Sequence, residues 1–386
     1  MLKVLQPTAH HTTLDIKHGV LASPVSSSGT PCASSSGIRA LAIIASLVVS
    51  SAAVAIDSPV KAAADSITSS DLVTVDAFNY VRAKTAIQFD KYLSRADGKI
   101  NTFYHRRAVV DIDAKSSKRL NRDTLYSAAI VDISQGATVV VPDVGDRYVS
   151  VQVVNEEGFT NKVFHGGGSH SLTVKEFDTP YVWLLVRTLV FDSIAGDVAA
   201  ANSLQDQMKI NSASAKTYTH PAYDPVSFVD TTKPLLELGK GIKDNSKAAG
   251  TKQQVDPIKQ LLLSAYGFGT LPETESFLMT VEPNLPSNKA YTLTVKDVPV
   301  DGFWSLAMYN KDGYFEENQY NSYGFGDRTA KKNPDGSITL HFGGSSDSVN
   351  YIPLTEGWNY VVRLYRPRAE VLDGSWQFPE VKLIVK

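Results

Sequence analysis

The alternation of hydrophobic and polar residues predicts strands in two separate regions of the chain. In residues 147–154, Val149, Val151 and Val153 alternate with the polar Ser150 and Gln152, which is typical of a half-buried strand. Residues 179–190 are almost continuously apolar, which is typical of a strand covered on both faces. The strands predicted in the first region are 108–112, 128–133, 137–141, 147–154 and 179–190, and those in the second are 277–281, 291–296, 303–310, 338–342, 358–365 and 381–385.

Apolar residues recur at helical spacing in four other segments, which predicts helices. The segments are residues 71–97, 193–210, 231–245 and 257–266. The last one follows Asp256-Pro257, an N-cap residue with proline at the first helical position, and it ends before Gly267. Most of the helical sequence therefore lies between the two strand regions.

Strands gathered into two groups, without regular strand–helix alternation, favour antiparallel sandwiches over a doubly wound sheet. We therefore predict a mainly β protein with a helical insert, built from two antiparallel β-sandwich lobes that are jelly-roll-like. The predicted parts are a targeting segment at 1–56, an N-terminal β-rich lobe with a leading helix at 57–215, a helical connector at 216–275 and a C-terminal β-sandwich lobe at 276–386.

The first 56 residues have the pattern of an export signal. Residues 41–55 are apolar or small, Arg39 precedes them, and Ala53-Val54-Ala55 closes them as a small-residue cleavage site. An apolar run of about 15 residues is short for a membrane span, so we predict cleavage near Ala55, a periplasmic or secreted protein and no stable membrane insertion afterwards. The long stretch before the run indicates a start codon placed too far upstream or, alternatively, a two-part address for an organelle lumen.

Composition and charge exclude several classes of function. The hydrophobic content of 43% and the charged content of 20% are those of a globular protein, and a formal net charge of −2 gives no electrostatic reason to expect nucleic acid as a partner. The only cysteine, Cys32, lies in the predicted targeting segment. His165 and His170 flank a triple glycine, but their spacing matches no standard metal-binding pair, so we predict no metal and no cofactor.

The most unusual polar segment is Asn121–Ser127, which lies between two predicted strands. Unpaired charges are costly in a protein core, so the segment is either a buried polar network or the edge of a pocket. In a pocket, Asp123 would act as a general base or orient one, Tyr126 would donate a proton or a hydrogen bond, and Asn121 and Arg122 would bind the ligand. In a structural network, Asp123 would accept backbone hydrogen bonds at a turn and Arg122 would pair with an acid.

The second strand region is rich in aromatic residues, which suit the binding of sugars or other flat, amphipathic ligands. Trp304 and Tyr309 are the candidate binding residues from this set. A place in the sandwich core is the alternative, and it is favoured for Trp304 and Tyr360. Arg363 lies on the opposite strand face from Tyr360, where it would anchor an acidic group of the protein or of a ligand.

Two series of residues resemble bacterial domains of unknown function. Similarity to the domain numbered 1254 rests on Asn121-x-Asp-Thr-Leu-Tyr-Ser127, Arg147-Tyr148-x-Ser-Val-Gln152 and Arg187-Thr188. Similarity to its usual C-terminal partner, the domain numbered 1214, rests on Gly302-Phe-Trp-Ser-Leu-x-x-Tyr-Asn310, Asp335-Gly-Ser-Ile-Thr339, Asn350-Tyr-Ile-Pro353, Arg363-Leu-Tyr-Arg-Pro367 and Asp373-Gly-Ser-Trp376. The resemblance implies an exported or envelope-associated protein of β-sandwich lobes, without a settled activity. The chain has Tyr351 where the family has tryptophan, and it lacks the family's Gly-Pro-x-Trp after the glycine-rich loop.

Three functional hypotheses follow from these residues. The first is an exported two-lobe protein that binds a small molecule or glycan in an inter-lobe cleft, with the polar segment of one lobe facing the aromatic residues and Arg363 of the other. The second is a hydrolase or lyase that uses Asp123 and Tyr126 as its acid–base pair. The third is a structural envelope protein without a ligand, for which assembly into a homo-oligomer is expected.

Overall fold

The computed structural model of the protein describes residues 71–385, so the predicted targeting segment and its cleavage site lie outside the described residues. Across that range, sixteen strands form four sheets. The predicted mainly β class is therefore confirmed. None of the helices in the described range combines the length and the apolar character that crossing a membrane requires.

The N-terminal lobe is a sandwich of two antiparallel sheets. A five-stranded sheet has the order β1-β2-β7-β4-β5, and a three-stranded sheet has the order β6-β3-β8. Their strands are β1 (Tyr104–His105), β2 (Thr124–Asp132), β3 (Ala137–Val141), β4 (Val149–Asn155), β5 (Thr160–His165), β6 (Gly168–Leu172), β7 (Tyr181–Leu189) and β8 (Lys209–Ser212). Aliphatic side chains from β2, β4 and β7 pack against those of β3 to form the core between the sheets.

The α-helices of the described range are α1 (Tyr80–Arg95), α2 (Val174–Phe177), α3 (Asp197–Gln207), α4 (Pro225–Leu238), α5 (Pro257–Tyr266) and α6 (Ala369–Leu372). Three of them cover the other face of the five-stranded sheet. Phe89 of α1 packs with Ile130, Trp183 and Tyr218 above the sheet. Helices α4 and α5 pack in turn on α1, through Leu235, Ala265 and neighbouring residues. The residues of α1, α4 and α5 are thus part of the N-terminal lobe's cover, whereas α6 packs through Val371 into the core of the C-terminal lobe.

Two strands differ from the prediction, and the cover over the five-stranded sheet explains the first difference. Strand β4 was predicted to be half-buried, but all of its residues are buried. Its polar face lies beneath the segment after α5, where Gln152 donates a hydrogen bond to the Thr270 carbonyl oxygen at 2.9 Å. The prediction of a strand at 108–112 is wrong, since this segment is irregular. The Val110 carbonyl oxygen accepts a hydrogen bond from the Arg122 side chain and not from a neighbouring strand.

The helices also differ from their predicted bounds. Helix α1 begins at Tyr80, nine residues after the predicted start at residue 71, and Phe78 is 99% exposed. A hydrogen-bonded turn from Asp76 to Asn79 directly precedes the helix. Helix α4 begins six residues earlier than predicted, because Asp224 caps it and Pro225 opens it. The same Asp-Pro signature correctly predicted α5 from Asp256.

The C-terminal lobe is a second sandwich. One sheet has the order β14-β13-β10-β16 and the other has the order β12-β11-β15-β9. The strands are β9 (Ser276–Val281), β10 (Tyr291–Val295), β11 (Trp304–Tyr309), β12 (Gly324–Gly326), β13 (Ile338–Phe342), β14 (Tyr351–Ile352), β15 (Asn359–Tyr365) and β16 (Lys382–Leu383). All pairs are antiparallel except β13 with β14. The face of the β12-β11-β15-β9 sheet that points away from this core contacts the N-terminal lobe.

Asp132, at the end of β2, binds the chain that follows β8. Its carboxylate accepts backbone hydrogen bonds from Ser134 at 2.9 Å and Lys216 at 2.8 Å. Burial opposes its ionisation, but hydrogen bonds from Ser214, Ser134 and Lys216 outweigh burial and lower its pKa to about 2. We expect Asp132→Asn to lower the free energy of unfolding at neutral pH by about 2 kcal/mol.

The lowered pKa of Asp132 also predicts how the stability difference between the wild type and Asp132→Asn changes with pH. A carboxyl group with a lowered folded pKa stabilises the protein fully above its unfolded pKa of about 4. That contribution is lost as the pH falls towards the folded pKa of about 2. Urea unfolding at several pH values should therefore show the wild type and Asp132→Asn converging in acid. The exposed Asp146, replaced in the same way, serves as the control, and a gap that stayed constant into acid would contradict the assignment.

Candidate functional site

A cavity of about 530 Å³ lies between the two lobes, and we call it the larger cavity. Its walls come from α1, the start of β2, the loop 116–121, the segment 266–271, and strands β9 and β15 of the C-terminal lobe. Asn121, Tyr126 and Arg363 are the sequence-predicted residues that line it. Its volume is within the range of small-molecule sites in proteins.

A smaller cavity of about 340 Å³ lies on the other side of the polar segment. Residues 189–193 of the N-terminal lobe and residues 303–307 and 320–329 of the C-terminal lobe form much of its lining. Arg122 and Asp123 line this cavity and do not line the larger one. The predicted site residues are therefore divided between two cavities.

The division depends on how the lobes pack and does not follow strand alternation. The structure begins β2 at Thr124, four residues before the predicted start, so Tyr126 is a strand residue and Asp123 lies just before the strand. Alternation alone would place Asn121 and Asp123, which are two positions apart, on the same face. The structure instead places Asn121 with Tyr126 in the lining of the larger cavity, and Arg122 with Asp123 in the lining of the smaller one.

A chain of hydrogen bonds connects the two cavities and joins the lobes. Asp123 Oδ2 accepts from Ser305 Oγ at 2.7 Å and from Tyr365 Oη at 3.1 Å. Asn121 Nδ2 donates to Tyr365 Oη at 3.0 Å and to Tyr126 Oη at 3.2 Å. Burial and the charge of Asp123 raise the pKa of Tyr365 well above its usual value. Tyr365 therefore remains a neutral hydrogen-bond donor between the two lobes.

Arg363 and Tyr309 hold the loop before the polar segment. Arg363 Nη2 donates to the Arg119 carbonyl oxygen at 2.8 Å and to Tyr309 Oη at 2.9 Å. Tyr309 Oη donates to the Leu120 carbonyl oxygen at 2.7 Å. Burial raises the pKa of Tyr309, so its phenol stays protonated. Two of the predicted binding residues thus bind the other lobe's main chain.

Two candidate residues need correction. Tyr309 is 1% exposed and lines neither cavity, because it packs against Phe315 beneath the loop. Trp304 contributes to the lining of the smaller cavity, but it is 3% exposed and belongs to the sandwich core, where its ring lies 5.6 Å from that of Phe378. The core position that the sequence favoured for Trp304 is the observed one.

Arg122 is held by protein groups. Its guanidinium binds the Val110 carbonyl oxygen and pairs with Asp192, in the structural arrangement that the sequence offered as an alternative. His165 is also committed, since its Nε2 lies 2.6 Å from Glu275 Oε2. His170 stacks on Phe164. Within residues 71–385 no group of three or more His, Cys, Asp or Glu side chains is arranged to hold a metal ion.

Sequence reasoning missed much of the larger cavity's wall. Tyr92, Trp183 and Phe268 form an aromatic wall in which neighbouring ring centroids are 5.1 and 5.0 Å apart. Gly269 turns the chain there with a φ of +86°, and a Cβ at this position would lie 2.9 Å from the Leu185 side chain. A left-handed glycine that also packs this closely fixes the shape of the wall.

One missed feature had a sequence signal. Lys84, Gln88, Lys91 and Arg95 occur at positions i, i+4, i+7 and i+11 of α1, and all four line the larger cavity. That spacing places them on one face of the helix. A basic stripe of this kind is usually a solvated surface, and only the tertiary structure shows that it faces a cavity.

Comparison with known proteins agrees with the sequence resemblance. The family model "Protein of unknown function (DUF1254)" matches residues 100–173, and the model "Protein of unknown function (DUF1214)" matches residues 280–369. The predicted pair is present, in the predicted order. The polar segment lies in the DUF1254 match, and Arg363 and Tyr365 lie in the DUF1214 match, so the larger cavity has walls from both domains.

One solved structure shows the same fold, and a second aligns more weakly. The VPA0106 protein from Vibrio parahaemolyticus is similar with a TM-score of 0.63 and 19% sequence identity, over 80% of this chain and 98% of that one. An uncharacterised protein from Burkholderia cenocepacia aligns with a TM-score of 0.46 and 14% identity, over 86% of this chain and 91% of the other. No curated protein matches the chain. The likeness to the Vibrio protein, together with the sheets, supports the mainly β fold.

Proposed function

We propose that this DUF1254–DUF1214 protein binds a small organic molecule in the larger cavity between its lobes. The supporting observation is a cavity of about 530 Å³ that combines an aromatic wall with the converging polar groups of Asn121, Tyr126 and Tyr365. Sites for small molecules have this composition, with a mainly apolar or aromatic surface and a few placed polar groups. Export after cleavage near Ala55 remains a prediction and forms part of the same proposal.

The geometry favours binding over the hydrolase or lyase alternative. An acid–base pair has to reach the same substrate atoms, or neighbouring ones. Asp123 lines the smaller cavity and Tyr126 lines the larger one, with Tyr365 and Asn121 between them. A ligand in one cavity would therefore contact one member of the pair and not the other.

Filling the cavity tests the proposal. Leu278 lines the larger cavity from β9 and is half-buried, so Leu278→Trp would occupy part of its volume. Leu383 is 53% exposed on the edge strand β16, and Leu383→Trp is the matched control. A library of neutral, anionic and cationic small molecules would be screened by thermal shift against the full-length wild type and both variants.

We expect some compounds to raise the melting temperature of the wild type and of Leu383→Trp, but not of Leu278→Trp. Ligand binding stabilises the folded state only when the site is intact. A screen in which every stabilising compound acted equally on Leu278→Trp would place binding elsewhere. A screen without any stabilising compound would favour a structural protein, for which light scattering should then show concentration-dependent assembly.

A further inference from the structure

The larger cavity has a one-sided charge. Among residues 71–385, eight lysine or arginine residues line it and no aspartate or glutamate does. The whole chain, in contrast, has 38 basic and 40 acidic residues. A lining with basic residues alone therefore does not reflect the composition of the protein, and it creates a positive potential inside the cavity.

The basic residues reach from the protein surface to its interior. The exposed ones are Lys91, Arg95 and Lys118, the half-buried ones are Lys84, Arg106 and Arg119, and the buried ones are Arg187 and Arg363. Basic groups at successive depths would attract an anion at the surface and continue to bind it as water is removed. Electrostatic attraction is stronger inside than at the surface, because the effective dielectric constant is lower there.

Protein carboxylates neutralise only part of this set, since Asp123 lies close enough to Arg363 for the two charges to interact. Within residues 71–385, Arg119 is the only one of the eight with an ion pair, which it makes with the exposed Glu282 at 2.7 Å. Arg187 donates instead to the Gln152 side chain and the Gly269 carbonyl oxygen. Burial and the charge of Lys91 lower the pKa of Lys84, and burial and Arg95 lower that of Lys91. Burial and mutual repulsion therefore oppose the charged forms of these two lysines.

One buried donor lacks a partner at the cavity. Arg363 is 5% exposed and lines the cavity, and its Nη1 has no hydrogen-bond partner although it is buried. An unpaired buried donor of a charged group is costly, so such a group in a folded protein calls for an explanation. Because this nitrogen is itself closed to solvent, an acidic group of a bound molecule would supply the missing acceptor only after a shift of the Arg363 side chain.

We infer that the larger cavity binds an organic anion, in which a carboxylate or phosphate group is attached to an aromatic or other apolar body. This inference rests on the proposed function and adds the class of ligand. The basic groups bind the acidic end, and the wall of Tyr92, Trp183 and Phe268 contacts the apolar body. The conflict between like charges in the free protein is then relieved by the ligand.

Probes that share a naphthalene ring and carry different charges test the inference. The set is 2-naphthoate, 2-naphthyl phosphate, the neutral 2-naphthamide and the cationic 2-naphthylmethylamine, measured by calorimetry with the full-length protein. We expect both anions to bind at least tenfold more tightly than the amide, the amine to bind least, and anion affinity to fall as salt is added. Stronger binding of the phosphate than of the carboxylate would identify a dianion as the preferred acidic group.

Charge-removing variants locate the effect. Lys84→Gln and Arg106→Gln each remove one half-buried cavity charge that has no ion pair, and Lys252→Gln removes an exposed lysine outside the lining. We expect the first two to weaken 2-naphthoate binding about tenfold and to leave binding of the amide unchanged.

The outcomes separate the two proposals. Equal binding of the amide and the carboxylate, lost in Leu278→Trp, would overturn the anion inference and leave the proposed function intact. Failure of both anions to bind in the millimolar range would also overturn the inference. Anion binding that persists in Leu278→Trp would show that the cavity is not the site, and the proposed function would fail with it.

Discussion

Arg363→Met is expected to lower the free energy of unfolding by about 3 kcal/mol, because breaking a buried charged network leaves its remaining members unpaired. Arg363 Nη2 is the hydrogen-bond donor to the Arg119 carbonyl oxygen and to Tyr309 Oη across the lobe interface. Methionine fills a similar volume but donates no hydrogen bond. The charge of Arg363 also compensates that of Asp123 in the interface.

The matched control is Arg368→Met. Arg368 forms an ion pair with Asp301 at 2.7 Å, but both side chains are about half exposed. Exposed ion pairs contribute less than about 1 kcal/mol, because water solvates both partners well. Urea unfolding of both variants should therefore give clearly different losses. Equal losses would mean that Arg363 does not anchor the lobes as described.

Phe303→Ala is expected to destabilise the protein by about 4 kcal/mol, since the loss of a buried phenylalanine removes apolar burial and leaves a void. Phe303 is 3% exposed and packs at the lobe interface with Leu189 of β7 and with Tyr365. Its ring stacks on that of Tyr365 with the ring centroids 4.0 Å apart. The rings of Phe303 and Tyr148 pack edge-to-face with their centroids 5.2 Å apart. The aromatic cluster therefore supports the same Tyr365 that hydrogen-bonds to Asp123.

Phe78→Ala is the corresponding control, because Phe78 is 99% exposed. Substitutions at such surface positions usually change stability by less than about 0.5 kcal/mol. Thermal and urea unfolding followed by circular dichroism would measure both variants. A small effect of Phe303→Ala would show that the cluster contributes little to joining the lobes. A large loss of stability in Phe303→Ala should be accompanied by weaker ligand binding, since Tyr365 also lines the larger cavity.

The sequence by itself determined the order of the elements and the family resemblance. Period-two alternation identified β13 with its observed bounds and β10 to within one residue, and the Asp256-Pro257 cap identified α5, because these signals depend on neighbouring residues only. The motifs around Asn121 and Arg363 indicated the pair of domains that the family models confirm. The same Asp-Pro rule at Asp224 was available for α4 and was not applied.

Only the tertiary structure decided which side chains share a cavity. The separation of Asp123 from Tyr126 depends on how the two lobes pack around the start of β2, and the wall that covers β4 comes from residues more than a hundred positions away. The basic lining brings together side chains from α1, β7 and β15, whose charges look ordinary in the sequence. Charge and burial act through distance in space, which local patterns do not contain, so the cavity and its positive lining appear only after the two lobes pack.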